Sequence, residues 1–319
     1  MEVSDQQRRL LELCAIRVGE ESVDWSLIAR LAQHPGGLDD LHQAVITEKS
    51  AAAARSRPVL REGLRDRPAL ADRVSAEVAA ASGVGARLVT VLDPDYPANL
   101  RLIPNLPPFL FCRGELSADD ARSVAVVGAR EASDAGIRRA ASLSRQLAAA
   151  GITVVSGLAK GIDTAAHRGA LEAGGRTIAV LGTGITRCYP SENQRLAEAI
   201  AVSGVLVSQF WPTSQPSRYT FPRRNVVTSG ISQGTVVIEA TSRSGAKMQA
   251  RIALDHGKKV FLIRSLVAAE PWARDYAENR GAVEVTGAAE VSARLAAPEQ
   301  VRRAIEQQRQ LTLSFGTGR

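Results

Sequence analysis

Ser123-Val-Ala-Val-Val-Gly-Ala-Arg130, in a chain of 319 residues, is the segment that indicates the fold class most clearly. A short apolar run that ends in a glycine turn is typical of a buried strand in a parallel sheet covered on both faces. Further runs of this kind follow at 153–155, 177–181, 205–207, 235–238, 259–263 and 282–285. Helical patterns separate them, so the sequence predicts an α/β protein with a doubly wound, mostly parallel sheet.

The periodicity and composition divide the chain into three regions. Residues 1–85 carry apolar residues at helical spacing, broken at His34-Pro-Gly-Gly37, and are expected to form a small helical packing domain. Residues 86–297 are expected to hold the sheet, with Leu106–Cys112 as an added edge strand, because proline is tolerated there. Residues 298–319 form a polar tail rich in Arg and Gln, for which no fold is predicted.

The composition favours a phosphate ligand and excludes several classes of site. Hydrophobic residues make up 45% of the chain, and the formal net charge of +7 at pH 7 comes mostly from arginine, which suits bidentate contact with phosphate. Cys14, Cys112 and Cys188 are scattered, which argues against a disulfide framework or a cysteine-rich zinc site and fits a reducing cytoplasm. The histidines have no metal-binding spacing and no run of about 18 apolar residues occurs, so we expect no metal, cofactor or membrane span.

The turn after the first strand places Gly128, Arg130 and Ser133 before a predicted helix. Glycine at a strand exit lets the backbone approach a ligand, and a helix N-terminus presents free N–H groups to an anion. Neither the GxGxxG nor the GxxxxGK[ST] pattern is present, so a dinucleotide or P-loop site is disfavoured. The alternative is a tight turn with a solvated arginine.

Ser156-Gly157-Leu-Ala-Lys160-Gly161-Ile-Asp163 follows the second strand and brackets a lysine with two glycines. Ser156 can donate a hydrogen bond to phosphate, and Lys160 can act as a point charge beside it. Asp163 is interpreted as the N-cap of the next helix.

Phe221-Pro-Arg223-Arg224-Asn225 is the second strong motif. Arginines meet phosphates and an aromatic ring stacks on bases, which is what single-stranded nucleic acid requires. Successive helical residues point about 100° apart, so one of the two arginines is expected to bind ligand and the other to make a structural contact. Two further candidates, with solvated surface as the alternative, are Arg218 and Arg243.

Weaker signals lie at the other strand ends. Gly182 permits a close approach, and Ser244-Gly245 opens a helix that can receive an anion. Glu239 is expected to pair with an arginine that holds the loop. Tyr189 is interpreted as a buried structural tyrosine, with base stacking as the alternative.

Five segments of the chain together resemble the DNA-processing protein A family (DprA, also called Smf). They are Val127–Ser133, Gly151–Leu171, Gly175–Gly184, Tyr189–Asn193 and Phe221–Asn225. The resemblance implies an extended Rossmann-like fold preceded by a helical, SAM-like domain. It also implies dimerisation, binding of single-stranded DNA in a basic pocket, and delivery of that DNA to the RecA recombinase during natural transformation. Arg130, Lys160 and the Arg223/Arg224 pair match positions expected to line the pocket.

The chain also departs from the family pattern. Ala246-Lys-Met-Gln-Ala250 stands where the family usually has a Ser-Leu-Ile-Thr-Ala type of run, and Ile263–Val267 replaces a Pro-Gly turn. Because the sequence stops soon after Leu295, the family's C-terminal winged helix is not expected. The resemblance is therefore that of a divergent member.

A non-catalytic single-stranded DNA-binding protein is the function that these motifs favour. No Ser–His–Asp order or suggestive carboxylate pair is present, and His167 is expected to be a packed helical residue. Replacing Arg223 or Lys160 with alanine is expected to weaken binding and to lower its salt dependence by about one unit of slope. One alternative is a phosphoribohydrolase-like nucleotide enzyme, suggested by Gly234-Thr235 with Glu239; another is an interaction scaffold that acts through residues 1–85.

Overall fold

The computed structural model describes residues 2–297, 299–301, 303–304 and 306–307. Its strands are β1 Arg17–Val18, β2 Glu21–Ser22, β3 Arg87–Thr90, β4 Phe109–Gly114, β5 Ser123–Val127, β6 Thr153–Ser156, β7 Thr177–Val180, β8 Val205–Ser208, β9 Gly234–Val237, β10 Lys259–Ile263 and β11 Val283–Val285. Its α-helices are α1 Asp5–Ala15, α2 Trp25–Ala32, α3 Gly37–His42, α4 Ala51–Gly63, α5 Arg67–Gly83, α6 Asp134–Ala149, α7 Ile162–Glu172, α8 Gln194–Ser203, α9 Thr220–Ile231, α10 Gly245–Asp255, α11 Arg264–Ala269, α12 Pro271–Asn279 and α13 Ala288–Ser292. The polar tail predicted for residues 298–319 lies for the most part outside the described residues.

The central sheet has nine strands in the order β11-β10-β9-β5-β6-β7-β8-β4-β3. The pairs from β11 to β8 are parallel, whereas β4 pairs antiparallel with β8 and with β3. The predicted fold class, a mostly parallel α/β sheet preceded by helices, is confirmed. The prediction of an edge strand for Leu106–Cys112 is wrong, because β3 covers the outer side of β4 and is itself the last strand of the sheet.

The order of the strands reverses between β5 and β9. From β5 the chain moves outward through β6, β7 and β8, then returns to the other side of β5 and continues through β9, β10 and β11. In open α/β sheets, the loops on either side of such a reversal separate and leave a crevice at the carboxyl ends of the strands. The crevice here lies between the loop after Val127 and the loop after Val237.

Apolar side chains cover both faces of the sheet. All five residues of β5 are buried, and alternate positions join different cores because side chains of a strand point to opposite faces. Val124 and Val126 belong to the cluster that includes buried residues of α6, α7 and α13. Ala125 and Val127 belong to the larger cluster that includes α9, α10 and the N-terminal helices. Burial of both faces explains why these strands lack a polar alternation.

The N-terminal helices pack against the sheet as part of one continuous core. Trp25 of α2 lies 4.9 Å from Phe109 of β4, between ring centroids, and Phe109 lies 5.1 Å from Trp211. Trp211 belongs to the long segment between β8 and α9, so three regions of the chain meet in this aromatic cluster. The periodicity predicted helices here but not the hairpin of β1 and β2, because strands of two residues have no detectable period.

Two short helices after β10 were not predicted. Helix α11 follows β10 directly, and α12 begins with Pro271, whose fixed φ suits the first helical position. Trp272 packs in the core and its indole N–H donates to the carbonyl oxygen of Ala240 at 3.3 Å. Buried residues of both helices belong to the larger apolar cluster, together with those of α9 and α10.

Candidate nucleic-acid interface

A cavity of about 630 Å³ occupies the crevice at the reversal of strand order, within the range of roughly 300–1,000 Å³ usual for ligand sites. Four segments line it: the loop after β5, the turn after β6, the region that leads into α9, and the loop from β9 into α10. The lining residues are Val127, Gly128, Ala129, Arg130, Glu131, Gly157, Ala159, Asp163, Arg218, Phe221, Pro222, Arg224, Asn225, Thr228, Thr241, Arg243, Ser244, Gly245, Ala246, Met248 and Gln249. Eight of the fourteen site residues predicted from the sequence are among them: Gly128, Arg130, Gly157, Phe221, Arg224, Asn225, Ser244 and Gly245.

Arg130 and Phe221 form one wall of the cavity. The guanidinium carbon of Arg130 lies 5.2 Å from the centroid of the Phe221 ring, a distance typical of a cation–π contact. Gly182 makes room for this ring, since a Cβ at that position would lie 2.7 Å from a ring carbon of Phe221. Gly182 does not line the cavity, but it leaves room for the Phe221 ring that does. The wall thus presents a guanidinium group that lies over an aromatic ring.

Arg224 and Asp163 form a buried pair on the floor of the cavity. Their side chains are 12% and 7% exposed, and Nη1 of Arg224 lies 3.9 Å from Oδ2 of Asp163. The same Nη1 donates to the carbonyl oxygen of Val180 at 3.2 Å. Burial raises the pKa of Asp163 while the guanidinium opposes that shift, and burial lowers the pKa of Arg224. The pair therefore serves the fold as well as the ligand surface.

Gly157 is required for this pair. A Cβ at Gly157 would lie 1.6 Å from Nη1 of Arg224 and 2.4 Å from Oδ2 of Asp163. The two glycine motifs after β5 and β6 are also joined by backbone hydrogen bonds, since Ile162 N donates to Ala129 O at 3.2 Å. The glycines predicted to line the site therefore also allow protein groups to pack closely, in addition to exposing the backbone.

The start of α10 completes the cavity. The hydroxyl of Ser244 caps the helix by accepting from Ala246 N at 3.1 Å. Asn225 faces the same turn and its side chain donates to Gly245 O at 3.5 Å. Because the first N–H groups of a helix lack intrahelical acceptors, this end of an eleven-residue helix adds to the positive character of the cavity.

The charges of the cavity favour an anion. Its lining holds four arginines, Arg130, Arg218, Arg224 and Arg243, against two carboxylates, Glu131 and Asp163. Within the part of the chain that the structure describes, only Arg224 of the four is within ion-pair distance of a carboxylate. Arg218 donates instead to the hydroxyl of Tyr219 at 2.6 Å. Three guanidinium groups therefore remain available for phosphate.

Lys160 and Arg223 do not line the cavity, although both were predicted to. Nζ of Lys160 lies 2.5 Å from Oε1 of Glu192 on the exposed surface beside the rim. Arg223 points away from its neighbour Arg224, as expected for successive helical residues, and its guanidinium carbon lies 5.0 Å from the ring centroid of Trp25. Arg223 thus contacts the N-terminal helices, and of the two arginines only Arg224 reaches the cavity.

Ser133, Ser156 and Gly161 also lie outside the lining. The hydroxyl of Ser133 caps α6 by accepting from Gly136 N at 3.0 Å and donates to Oε2 of Glu239 at 2.7 Å. This corrects the expectation for Glu239, whose carboxylate holds the Ser133 turn and not an arginine. Ser156 is buried and donates to Val126 O at 2.6 Å, so its hydroxyl is engaged within the sheet.

The helix after β6 begins differently from the prediction. Gly161, with φ of 73°, is the N-cap of α7, and Asp163 lies inside the first turn, where it accepts from Ala159 N at 3.4 Å. His167 is packed as expected: it is fully buried, and its Nε2 lies 3.0 Å from Gly157 O. Burial lowers the pKa of His167 to about 4, so the ring is neutral at neutral pH and Nε2 donates to that carbonyl.

The sequence did not single out every residue that lines the cavity. Thr228, Met248 and Gln249 were missed, and helical spacing from Arg224 and from Gly245 was the signal that could have found them. Tyr189 was interpreted as buried, but it is 49% exposed and its ring lies 5.8 Å from that of Phe221. An exposed ring beside Phe221 extends the aromatic surface beyond the cavity.

The N-terminal helices support the segment that leads into α9. The carboxylate of Glu77 on α5 accepts from Thr213 N at 3.0 Å and from the Thr213 hydroxyl at 2.8 Å. Arg73 of the same helix lies over the ring of Trp211, with 5.6 Å between guanidinium carbon and centroid. Together with the contact of Arg223 with Trp25, these interactions fix the entry to the helix that carries Phe221 and Arg224.

Two kinds of site are not found in the described ranges. No group of three or more His, Cys, Asp or Glu side chains among these residues is placed to hold a metal ion. No helix there has the length and apolar character needed to cross a membrane.

The sequence matches the family model of the DNA recombination-mediator protein A over residues 87–295. It is 41% identical to the DNA processing protein DprA of Streptococcus pneumoniae over 174 residues, which cover 54% of this chain and 61% of that protein. It is 43% identical to Protein Smf of Escherichia coli over 169 residues, which cover 53% of this chain and 45% of that protein. The chain thus spans about half the length of the curated relatives it matches.

Solved structures show the same architecture. The crystal structure of DNA processing protein A from Streptococcus pneumoniae matches with a TM-score of 0.74 at 29% identity, covering 93% of this chain and 99% of that one. DNA processing protein A from Helicobacter pylori matches the fold with a TM-score of 0.58 at 23% identity, covering 65% and 94%. The family model covers residues 87–295, and three of the five segments that suggested the resemblance, Val127–Ser133, Gly151–Leu171 and Phe221–Asn225, contribute residues to the cavity. The chain belongs to the DNA recombination-mediator protein A family.

Proposed function

We propose that this protein binds single-stranded DNA and that the cavity at the reversal of strand order is where it does so. The observation that carries the proposal is the convergence of Arg130, Arg218 and Arg243 beside the half-buried ring of Phe221. Guanidinium groups meet the phosphates of the strand, and an aromatic ring stacks on a base. Duplex DNA keeps its bases stacked inside, so it offers no partner for the ring.

The family supports a role for this binding in recombination. The relatives are named for DNA processing, and the Helicobacter pylori protein is described by its binding mode for single-stranded DNA. We propose that the present protein covers incoming single strands in the cytoplasm as a homodimer and delivers them to the RecA recombinase during natural transformation. Its three cysteines are free thiols, consistent with a reducing compartment.

The nucleotide-enzyme alternative finds no support at its own residues. Thr235 is fully buried in β9, and Glu239 accepts two hydrogen bonds from Ser133. Neither residue lines the cavity. A hydrolase of that kind needs a carboxylate that contacts the sugar, and the carboxylate proposed for this role is engaged in holding a turn.

The scaffold alternative, in which residues 1–85 act alone, also fits the structure less well. Trp25 and Glu77 contact the segment that leads into α9, so the N-terminal helices contribute to the shape of the cavity. Deletion of residues 1–85 would therefore remove both a possible partner surface and a support of the binding site. Point variants of cavity residues test DNA binding while leaving the surface of residues 1–85 unchanged, so they distinguish DNA binding from a scaffold function.

The proposal is tested by a gel shift with single-stranded and duplex DNA of equal length, followed by a salt titration. Preferential retention of the single strand, with affinity that falls as salt rises, is the expected result. Equal binding of both forms, or affinity independent of salt, would refute the proposed function.

Arg130→Ala is expected to weaken single-strand binding several-fold and to reduce the slope of log K against log salt by about 0.7, the value for one phosphate contact on a single strand. Arg130 has no carboxylate partner among the described residues, so its removal changes the ligand surface more than the fold. The measurement is fluorescence anisotropy over a range of salt concentrations. The matched control is Arg145→Ala, because Arg145 pairs with Glu172 away from the cavity and its loss should leave the slope unchanged.

Phe221→Ala is expected to weaken binding by about 1–3 kcal/mol, the contribution of one stacked base. In contrast to Arg130→Ala, it should leave the salt slope unchanged, because a ring releases no counterions. The measurement is the affinity of both variants for the same oligonucleotide at several salt concentrations, from which the two salt slopes are compared. A reduced slope for Phe221→Ala would show that the ring acts by positioning Arg130 and not by stacking.

A further inference from the structure

A second basic groove lies beside α6, outside the cavity at the reversal of strand order. It has a volume of about 420 Å³ and runs between α6 and the turn that joins β11 to α13. Arg138, Arg139, Ser142 and Gln146 line it from α6, and residues 286–288 line it from the turn. Residues three and four apart are neighbours on a helix surface, so these four side chains share one face of α6.

The two arginines of the groove have no carboxylate partner among the residues that the structure describes. Arg145 of the same helix, by contrast, forms an ion pair with Glu172. The carboxylate of Glu290 accepts from Thr286 N at 3.0 Å and so is engaged in the turn. Two guanidinium groups without a counter-charge in one groove attract an anion, and their planar forks fit the oxygens of phosphate.

The groove and the cavity lie at the same edge of the sheet. Residues 286–288 follow the carboxyl end of β11, and the loop with Glu131 follows that of β5. Both strands run in the same direction, because every pair from β5 through β9 and β10 to β11 is parallel. Glu131 lines the cavity and Ala135 lines the groove, so these Cα atoms are at most about 15 Å apart along four peptide units. A strand that leaves the cavity on this side can therefore enter the groove.

The lining of the groove suits the backbone of a nucleic acid and not its bases. Among the described residues that line it, none is aromatic, so the groove offers no ring on which a base could stack. The hydroxyl of Ser142 accepts from Nε2 of Gln146 at 3.2 Å, which leaves its own proton for an acceptor such as a phosphate oxygen. The groove therefore combines two cations and a hydroxyl donor.

We propose that the groove beside α6 binds the phosphate backbone of the single strand after that strand leaves the cavity. The inference rests on the proposed function. Arg138 and Arg139 neutralise phosphates, and Ser142 donates a hydrogen bond to one of them. This contact requires a strand longer than the cavity alone can hold, and it is independent of the base sequence.

The test measures binding of thymidine oligonucleotides of increasing length to the wild-type protein and to the double variant Arg138→Ala, Arg139→Ala by fluorescence anisotropy. We expect equal affinities for the shortest strands that bind and a several-fold loss in the variant for longer ones. On a long strand the slope of log K against log salt should fall by about 1.4, which is 0.7 for each of two phosphates. The thermal midpoint should not fall, because both side chains lie on the helix surface and alanine favours a helix.

Two further variants serve as controls. Arg138→Lys with Arg139→Lys keeps both charges and should restore most of the salt slope, whereas Arg145→Ala removes an ion-paired arginine of the same helix and should bind strands of every length as the wild type does. Equal affinity of the double alanine variant and the wild type at every length, or an equal loss at every length, would overturn the role of the groove. Failure of the wild-type protein to bind any single strand would instead overturn the proposed function, so the two failures are distinguishable.

Discussion

Arg224→Met is expected to lower the free energy of unfolding by about 3–5 kcal/mol, the usual cost of breaking a buried ion pair by removing one partner. Its side chain is 12% exposed and lies 3.9 Å from the 7% exposed carboxylate of Asp163. Removing the guanidinium leaves that carboxylate buried and without its counter-charge, and it also leaves Val180 O without its donor. The measurement is chemical denaturation of the wild type and the variant at neutral pH.

The size of this loss should depend on pH. Burial already raises the pKa of Asp163 in the folded protein, and the nearby guanidinium opposes the shift. Without Arg224 the folded-state pKa rises further. A carboxyl group whose pKa is higher in the folded than in the unfolded state contributes stability at low pH that is lost as the pH rises through the folded-state value. The deficit of Arg224→Met is therefore expected to be smaller in acid and to grow towards neutral pH.

The double variant Arg224→Met with Asp163→Asn is the control for this interpretation. It removes both charges together, and most of the lost stability should return, because buried pairs can often be replaced by uncharged residues at little cost. A double variant as unstable as Arg224→Met, or a deficit that does not vary with pH, would contradict the assignment of the effect to Asp163.

The sequence predicted the strands of the central sheet because the feature that marks each of them lies within the strand itself. A strand such as Val124–Val127 is buried on both faces and ends at a glycine, so a continuous apolar run identifies it. The order of these strands, and with it the crevice between the loops after β5 and β9, depends on how distant segments pair. Strand β4 illustrates why strand order cannot be predicted from the sequence of one segment. Nothing in Leu106–Cys112 reveals that β3 will pair with its outer side.

The sequence predicted those site residues whose place in the cavity depends only on where the backbone runs. Gly128, Phe221 and Gly245 follow from the rule that ligands bind at the carboxyl ends of strands. The direction of a long side chain depends instead on what surrounds it in space. Lys160 turns to Glu192 and Arg223 to Trp25, and both partners are distant in sequence.

Phe109→Ala is expected to lower the free energy of unfolding by about 3–5 kcal/mol through the cavity that it leaves in the core. Phe109 is fully buried, and its ring lies 4.9 Å from that of Trp25, 5.1 Å from that of Trp211 and 5.6 Å from that of Phe111. These contacts join α2, β4 and the segment that leads into α9. Phe109→Leu, which leaves a smaller void, should cost roughly 1–2 kcal/mol.

The same variant tests whether the N-terminal helices and the sheet unfold together. Two of the three tryptophans, Trp25 and Trp211, contact Phe109, so in a Trp272→Phe background tryptophan fluorescence reports on the junction while far-ultraviolet circular dichroism reports on all helices and strands. Coincident transitions by the two probes, shifted together in Phe109→Ala, are expected for one cooperative unit. Single-strand affinity, measured where the variant is still folded, should also fall, since Trp25 is the contact of Arg223 at the start of α9. A fluorescence transition that precedes the loss of secondary structure would mean that the helices detach before the sheet unfolds, and an unchanged single-strand affinity would mean that the binding cavity does not depend on Phe109.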